Sequence, residues 1–283
     1  MRCVWPAAAL ALTGCAGGVL DPQGPVGAGE RQVLLNALVI MLGIVVPTIL
    51  ATFAFAWWFR AGNARAEHKP DWSYSGRLEL LVWSVPALVV IFLGGIAWIG
   101  SHDLDPYKPL PASTAPLRVQ VVALDWKWLF IYPDQGVASV NRLVVPVGTP
   151  IAFSITSATV MNSFFVPQLG GQIYAMAGME TRLHLQADRP GRYRGLSAQY
   201  SGKGFPGMRF MVDAVPPRQF AGWLAATRQQ GMALDRSAYL ALTRDSENVA
   251  PYGYRAVAPG LFAAVVRDSG TTTAKRAIEG RGP

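Results

Sequence analysis

The sequence predicts a membrane-anchored α+β protein, in which a two-helix transmembrane hairpin precedes an all-β sandwich and a helical C-terminal arm. Two long stretches without charge in the first hundred residues predict the hairpin. Short alternating stretches separated by turn residues predict the sandwich. The composition fits, because 51% of the 283 residues are hydrophobic and only 15% are charged, against about 25% charged residues in soluble domains. This bias rules out a disordered chain and argues against an ordinary soluble globule.

The N-terminal residues 1–14 are predicted to be a lipoprotein signal peptide. A basic residue, Arg2, precedes an apolar stretch over 4–12, and Leu12, Thr13 and Gly14 lead into Cys15. Small residues before a cysteine resemble a bacterial lipoprotein signal, whose cleavage leaves an acylated Cys15 at the N-terminus of residues 15–32. The alternative is an ordinary signal peptide that ends near a cysteine.

The two predicted transmembrane helices cover residues 33–59 and 79–100. Neither contains a charge except Glu79 at the start of the second, and each is long enough to cross the hydrocarbon core, which takes about 20 helical residues. The loop 60–78 contains four basic residues, Arg60, Arg65, Lys69 and Arg77. The positive-inside rule therefore predicts a cytoplasmic loop, with everything after residue 100 outside the cytoplasm.

The rest of the chain divides by composition. A proline-rich linker over 101–116 leads to the predicted sandwich at 117–216, whose strands are expected at 117–124, 127–132, 142–146, 150–157, 181–187, 191–197 and 208–214. Apolar residues at helical spacing predict helices in the arm, 217–267. The polar tail 268–283 is predicted to be disordered.

The net charge of +8 raises both nucleic acid and an anionic membrane surface as partners. The basic residues are scattered, and no run of them is interleaved with aromatic residues, which argues against nucleic acid. Membrane lipid is the expected partner. Two cysteines and three histidines exclude a disulfide framework and a four-thiolate metal site.

Four local sequences carry a resemblance to a known family. They are ALDWKWLFIYP at 123–133, VMNSFFVP at 160–167, QIYAM at 172–176 and SAQYSGKGFPGM at 197–208. Together they resemble subunit II of the haem-copper terminal oxidases, most closely the cytochrome bo-type ubiquinol oxidase branch. The resemblance implies a cupredoxin-like sandwich, and it extends to an aromatic-rich C-terminal arm near Phe220, Trp223, Tyr252 and Tyr254.

The resemblance also implies where copper would bind. In the cytochrome c oxidase branch, two coppers are held by one histidine and by a Cys-x3-Cys-x3-His-x2-Met motif with a carbonyl inside it. The matching positions here are Asn162, Ser197, Gln199 at the carbonyl, Ser201, Phe205 and Met208. Because such copper needs thiolates and imidazoles, no metal is expected at these vacated positions, and this chain is expected to bind no cofactor.

The histidines do not replace the missing ligands. His68 lies in the cytoplasmic loop, His102 at the outer membrane edge and His184 on a strand. The irregularly spaced Met161, Met176, Met179 and Met208 are predicted to pack in the core rather than to handle copper. Trp126 and Trp128 match an aromatic segment that adjoins the metal in the copper-bearing branch. Here we expect them to pack in the sandwich, with an interface to a catalytic subunit as the alternative.

Glu79 begins the second helix at the cytoplasmic edge. In the resembled family, the glutamate of this motif lies near the entrance of a proton channel in the large subunit. A carboxylate here also compensates the helix dipole, and both interpretations remain open. We find no nucleophile–base pair, phosphate-binding loop or paired carboxylates, so this chain alone is expected to have no catalytic residues.

The resemblance implies a non-catalytic subunit II of a proton-pumping ubiquinol oxidase in the bacterial inner membrane. Its partners would be a large subunit I, which carries the haems and a copper, other oxidase subunits, and ubiquinol bound through subunit I. Two alternatives are a cytochrome c oxidase subunit with an atypical copper site and a membrane-anchored copper-binding lipoprotein. The scarcity of cysteine and histidine in the site loops counts against both.

Overall fold

The structure is a computed structural model that describes residues 18–67, 69–112 and 114–278. The predicted signal peptide, Cys15 and His68 lie outside the described residues. The described chain divides into two compact units, a helical hairpin over 29–104 and an extramembrane unit made of the described residues in 18–28 and 105–278.

The hairpin contains helix α1, Pro25–Trp58, and helix α2, Gly76–Asp103. Both are long and apolar enough to cross a membrane. Helix α1 begins at Pro25 rather than at the predicted residue 33, because proline suits the first helical turn and Glu30, Arg31 and Gln32 are good helix formers. The two helices approach closely at Gly100, where an added Cβ would lie 3.0 Å from Val33 Cγ2.

Ten strands form the sandwich. They are β1 Leu117–Leu124, β2 Lys127–Tyr132, β3 Val137–Val140, β4 Arg142–Pro146, β5 Ile151–Ser157, β6 Asn162–Phe165, β7 Ile173–Ala175, β8 Thr181–Leu185, β9 Gly191–Ser197 and β10 Arg209–Val215. The seven strands expected from the sequence are present with ends that differ by two residues at most. Strands β3, β6 and β7 were not predicted, because each has only three or four residues and no clear alternation.

The C-terminal arm is built from helix α3 Pro217–Gln229, strand β11 Ala233–Leu234, helix α4 Arg236–Leu242, strands β12 Tyr252–Tyr254 and β13 Ala256–Val257, and helix α5 Leu261–Ile278. Strand β12 pairs with β3, so the arm completes one sheet of the sandwich, whose order is β12-β3-β2-β1-β5-β8. The other sheet has the order β4-β10-β9-β6-β7.

Two apolar cores hold the extramembrane unit together. The first lies between the two sheets, where Phe164 and Phe210 stack with ring centroids 5.1 Å apart and the edge of Trp128 packs on both. The second lies between the six-stranded sheet and the arm, and it includes Leu129 and Phe262. Because both faces of β2 are covered, all six of its residues are buried.

The prediction of a disordered tail over 268–283 is wrong for most of that segment. Helix α5 continues through Asp268 to Ile278, and residues 279–283 lie outside the described residues. The hydroxyl of Ser269 donates to Val265 O over 2.7 Å and accepts from Gly178 N over 3.0 Å. This buried polar link to the sandwich, which composition does not reveal, holds the helix past the predicted boundary.

Candidate functional site

The vacated positions gather at one end of the five-stranded sheet. Asn162 is the first residue of β6 and Ser197 the last residue of β9, and these strands are hydrogen-bonded neighbours. The loop after β9 returns to the same place, because Ser197 N donates to Met208 O over 3.2 Å. The pairing register therefore places residues from both predicted motifs in one buried cluster.

The Ser197 hydroxyl is the centre of that cluster. Its Oγ lies 3.1 Å from Asn162 Oδ1 and 3.2 Å from Gln199 O, and it accepts a hydrogen bond from Ser163 N. The Asn162 amide also donates to Val160 O over 3.2 Å. Asn162 and Ser197 are 1% and 4% exposed, so their polar atoms are satisfied by one another rather than by solvent.

The remaining vacated positions form a second group in the same loop. Ser201 Oγ donates to Met208 Sδ over 3.9 Å, and Met208 is buried. Phe205 begins a short 3-10 helix, Phe205–Gly207, and its ring meets the edge of the Tyr200 ring at 5.6 Å. Phe205 therefore contributes an aromatic contact where the copper-bearing pattern has an imidazole.

Trp126 holds the loop from the opposite side. Its backbone is in the left-handed region, with φ of 63°, which costs energy for a bulky residue. The indole Nε1 donates to Ser201 O over 3.0 Å, and an added Cβ on Gly204 would lie 2.4 Å from Trp126 Cδ2. Trp126 thus packs on the vacated loop, whereas Trp128 is fully buried between the sheets.

The donor set in this cluster does not fit a copper centre. It offers one carboxamide, two hydroxyls, a backbone carbonyl and one thioether, whereas copper sites of this kind use thiolates and imidazoles. These donors are also engaged in hydrogen bonds with each other. Among the described residues, no three His, Cys, Asp or Glu side chains come close enough to hold a metal ion.

Two of the four methionines that were predicted to pack in the core do not do so. Met208 is 1% exposed, but Met161 and Met179 are 40% and 53% exposed, so the prediction is wrong for these two. Both lie outside the strands, Met161 just before β6 and Met179 shortly before β8.

The two described histidines each have contacts of their own. His184, on β8, has Nδ1 3.1 Å from Pro106 O. His102 lies near the end of α2, where its ring packs on Trp98 at 4.4 Å.

Glu79 lies in the first turn of α2. Its Oε2 accepts a hydrogen bond from Trp83 Nε1 over 3.0 Å, and its backbone N–H donates to Ser75 O over 3.0 Å. The carboxylate is therefore oriented along the helix by an indole one turn further on. Its position suits both the dipole and the proton-entrance interpretations.

Sequence reasoning missed the residues that fasten the arm beside the cluster. Lys127 is 1% exposed, and its Nζ donates to Arg244 O over 2.7 Å and to Ser246 Oγ over 2.6 Å. Burial removes the ammonium from water and so lowers the pKa of Lys127. A lysine inside the apolar run WKWLFIY was the available signal, because a buried lysine needs partners.

Two family models match the chain. The model described as "Cytochrome C oxidase subunit II, periplasmic domain" matches residues 134–215, and the model described as "COX Aromatic Rich Motif" matches residues 228–268. The first covers most of the sandwich, and the second begins at the end of α3 and continues into α5. Together with the apolar hairpin, these matches define the class, which is subunit II of the respiratory terminal oxidases.

Two relatives, both named as ubiquinol oxidase subunits, narrow the class. Ubiquinol oxidase subunit 2 of Acetobacter aceti is 51% identical over 260 residues, which cover 91% of this chain and 84% of the relative. Cytochrome bo(3) ubiquinol oxidase subunit 2 of Pseudomonas aeruginosa is 49% identical, with 90% and 77% covered. The periplasmic domain of subunit II of cytochrome oxidase (CoxB) of Bradyrhizobium japonicum is 26% identical, with 42% and 98% covered and a TM-score of 0.40.

The chain belongs to the ubiquinol oxidase subunit 2 family. It is accordingly a part of an oxidoreductase complex that contains other subunits. The two apolar helices and the match to a periplasmic oxidase domain fit an inner-membrane protein.

Proposed function

We propose that this chain is the non-catalytic subunit II of a proton-pumping complex that oxidises ubiquinol and reduces oxygen to water. The haems and the copper belong, on this proposal, to a large partner subunit I, which also binds the quinol. The chain supports assembly and binds no cofactor itself. Ubiquinol as the electron donor is supported by two relatives, which are 51% and 49% identical to this chain and are named as ubiquinol oxidase subunits.

One observation carries the proposal. At the five side-chain positions where a copper-bearing subunit has its ligands, this chain has Asn162, Ser197, Ser201, Phe205 and Met208. The hydroxyls of both serines are directed to partners inside the cluster, Asn162 Oδ1 and Met208 Sδ. A domain without a copper centre has no group through which to accept electrons from cytochrome c, so a membrane quinol is the consistent donor.

The proposed topology is multi-pass, with both termini outside the cytoplasm. Four basic residues in the loop 60–78 support a cytoplasmic hairpin turn, namely Arg60, Arg65, Lys69 and Arg77. We propose that Cys15 is the acylated N-terminus of the mature chain. Mass spectrometry of the mature N-terminus tests this: a diacylglyceryl-modified Cys15 is expected, and an unmodified N-terminus elsewhere would contradict it.

For Glu79, we propose a role as part of a proton entrance formed with subunit I. The carboxylate lies at the membrane edge, where it can exchange protons with water, and Trp83 Nε1 orients it. The competing role is compensation of the dipole at the start of α2.

Purification of the native complex tests the main proposal. We expect ubiquinol to be oxidised, reduced cytochrome c not to be oxidised, and haem and copper to remain with the large subunit when the subunits are separated. Oxidation of cytochrome c would instead favour a cytochrome c oxidase with an atypical copper site. Copper in this chain, without an associated oxidase, would favour a copper-binding lipoprotein.

A further inference from the structure

The outer face of the five-stranded sheet has a surplus of positive charge. It carries four exposed arginines: Arg142 on β4, Arg192 and Arg194 on β9, and Arg209 on β10. We call these four residues the arginine face. One carboxylate, Asp213 on β10, lies among them, so four positive charges and one negative charge leave a surplus of three.

The pairing register brings these side chains close together. Met211 on β10 is the Cα partner of Arg142 on one side and of Arg194 on the other, and Asp213 is the partner of Arg192. Neighbouring strands lie about 5 Å apart, and alternate residues of one strand lie about 7 Å apart. The four guanidinium groups therefore project from one patch about 15 Å across.

Within this patch, only two arginines have an acidic partner. Asp213 Oδ2 lies 2.7 Å from Arg142 Nε, and Asp213 Oδ1 lies 3.1 Å from Arg192 Nε. Over the part of the chain that the structure describes, Arg194 and Arg209 form no ion pair. A like-charged patch costs electrostatic energy unless counter-charges approach it, so these two guanidiniums are available to an outside anion.

The opposite sheet is different, because its exposed arginines have acidic partners. Arg118 pairs with Asp134, and Arg182 Nε lies 3.8 Å from Glu180 Oε1. Both of these arginines thus have a carboxylate partner within the chain. The surplus of positive charge therefore distinguishes the five-stranded sheet from the six-stranded one.

A half-open cleft with both polar and aromatic walls adjoins the arginine face at Arg142. It has a volume of about 410 Å³, and Arg142, Trp223, Pro251 and Tyr252 contribute to its walls. Arg142 and Pro251 also line a neighbouring depression that includes Arg192. A ligand on the face can therefore place charged groups on the arginines and one apolar side chain in the cleft.

We infer that the arginine face docks an acidic extracytoplasmic segment of another subunit of the oxidase complex. The inference rests on the proposed function only in that such a complex must supply the segment. Guanidinium groups form strong charge-assisted hydrogen bonds with carboxylates, and Asp213 already bridges two arginines of the face, with one carboxylate oxygen on each. A polypeptide is favoured over phospholipid headgroups, because a headgroup has no side chain to fill the Trp223–Tyr252 cleft.

Zero-length cross-linking of the native complex tests the inference. Arg194→Lys and Arg209→Lys each keep the charge and introduce an amine that a carbodiimide couples to a contacting carboxylate. Arg182→Lys, on the opposite sheet, is the matched control. We expect both face variants to yield a cross-linked peptide that joins position 194 or 209 to an Asp or Glu of another subunit. We expect the control to yield only Glu180 within the same chain.

Charge reversal provides an independent measurement. We expect the Arg194→Glu/Arg209→Glu complex to lose this subunit at a several-fold lower salt concentration than wild type, while Arg182→Glu behaves as wild type. The inference would be overturned if the charge-reversed complex keeps this subunit up to the same salt concentration as wild type and no cross-link to another subunit forms. The inference would also be overturned if the charge-reversed complex loses this subunit only when anionic phospholipid is added and no peptide cross-link forms. That result would identify lipid headgroups as the ligand of the arginine face. If the wild-type chain does not co-purify with an oxidase, the proposed function fails instead.

Discussion

The hydroxyl of Ser197 lies 3.1 Å from the side-chain carbonyl of Asn162, although 35 positions separate the two residues. In the copper-bearing pattern that this family resembles, a cysteine and a histidine occupy these places. In this chain the two side chains instead share a buried hydrogen bond. The resulting cluster ties the end of β9 to the start of β6.

Removal of this hydroxyl should destabilise the sandwich. Ser197→Ala leaves Asn162 Oδ1 and Ser163 N without their partner in a buried site, which costs about 1–3 kcal/mol. Thermal unfolding of the purified full-length chain measures the loss. Ser154→Ala, whose hydroxyl bonds to Glu180 at the surface, should change the free energy of unfolding by less than about 0.5 kcal/mol. Equal effects of the two substitutions would contradict a structural role for the cluster.

The packing of Trp126 on the vacated loop should be sensitive to one methyl group. In Gly204→Ala, the new Cβ would lie 2.4 Å from Trp126 Cδ2, so the indole must move and release its hydrogen bond to Ser201 O. We expect a loss of about 1–3 kcal/mol, typical of overpacking. Gly222→Ala, which meets nothing within 4 Å inside α3, should instead stabilise the helix by up to about 1 kcal/mol. A neutral Gly204→Ala variant would argue against this packing.

Lys127 should hold the arm against the sandwich. Lys127→Met keeps the length of the side chain but removes the bonds to Arg244 O and Ser246 Oγ. We expect trypsin to cleave after Arg244 several-fold faster in folded protein. Lys203→Met is the control, because Lys203 Nζ is exposed and lies 3.6 Å from Glu247. The same cleavage rate in both variants would show that the arm is fastened elsewhere.

The buried tyrosine Tyr132 predicts a loss of stability in alkali. Burial raises the pKa of Tyr132 well above its ordinary value of 10.0. As the pH rises above about 10, the unfolded phenol ionises while the folded one stays neutral, so the free energy of unfolding falls by up to about 1.4 kcal/mol per pH unit for this group.

Denaturant unfolding between pH 9 and 11.5 measures that slope. Tyr132→Phe should make it shallower while lowering stability at pH 8 by about 1 kcal/mol, because the hydroxyl bonds to Val144. Tyr174→Phe, at a side chain that is 45% exposed, should leave the slope unchanged. A wild-type slope in Tyr132→Phe would contradict the assignment.

Substitution of Glu79 distinguishes a proton entrance from dipole compensation. If Glu79 conducts protons, Glu79→Ala slows proton uptake during turnover while the complex still assembles. Proton uptake by the reconstituted complex is the measurement, and Glu67→Ala in the same loop region is the control, because Glu67 is exposed and pairs with Lys69. Unchanged turnover with intact assembly would leave only the dipole role.

Much of the fold could be predicted from local sequence. The transmembrane helices could be predicted because a run of about 20 apolar residues without charge is typical of a membrane-spanning segment. The longer strands could be predicted because alternation of apolar and polar residues over five or more positions indicates a strand. The short strands β3, β6 and β7 were missed, since three or four residues carry too little pattern. The end of α5 was missed because Ser269 is held by Gly178, which is 91 positions away.

The candidate site could also be predicted only in part from the sequence. The loss of thiolate and imidazole at positions 162, 197, 201 and 205 is a matter of residue identity, so the printed sequence already shows it once the motif is aligned. Contacts between distant segments depend instead on strand order and register. The contact of Ser197 with Asn162 and the shared face of arginines from three strands follow from how β4, β10, β9 and β6 are ordered. The contact of Lys127 with Arg244 O follows from the packing of the arm against the other sheet. Local periodicity carries no information about that order, because it is selected by the packing of the whole sandwich.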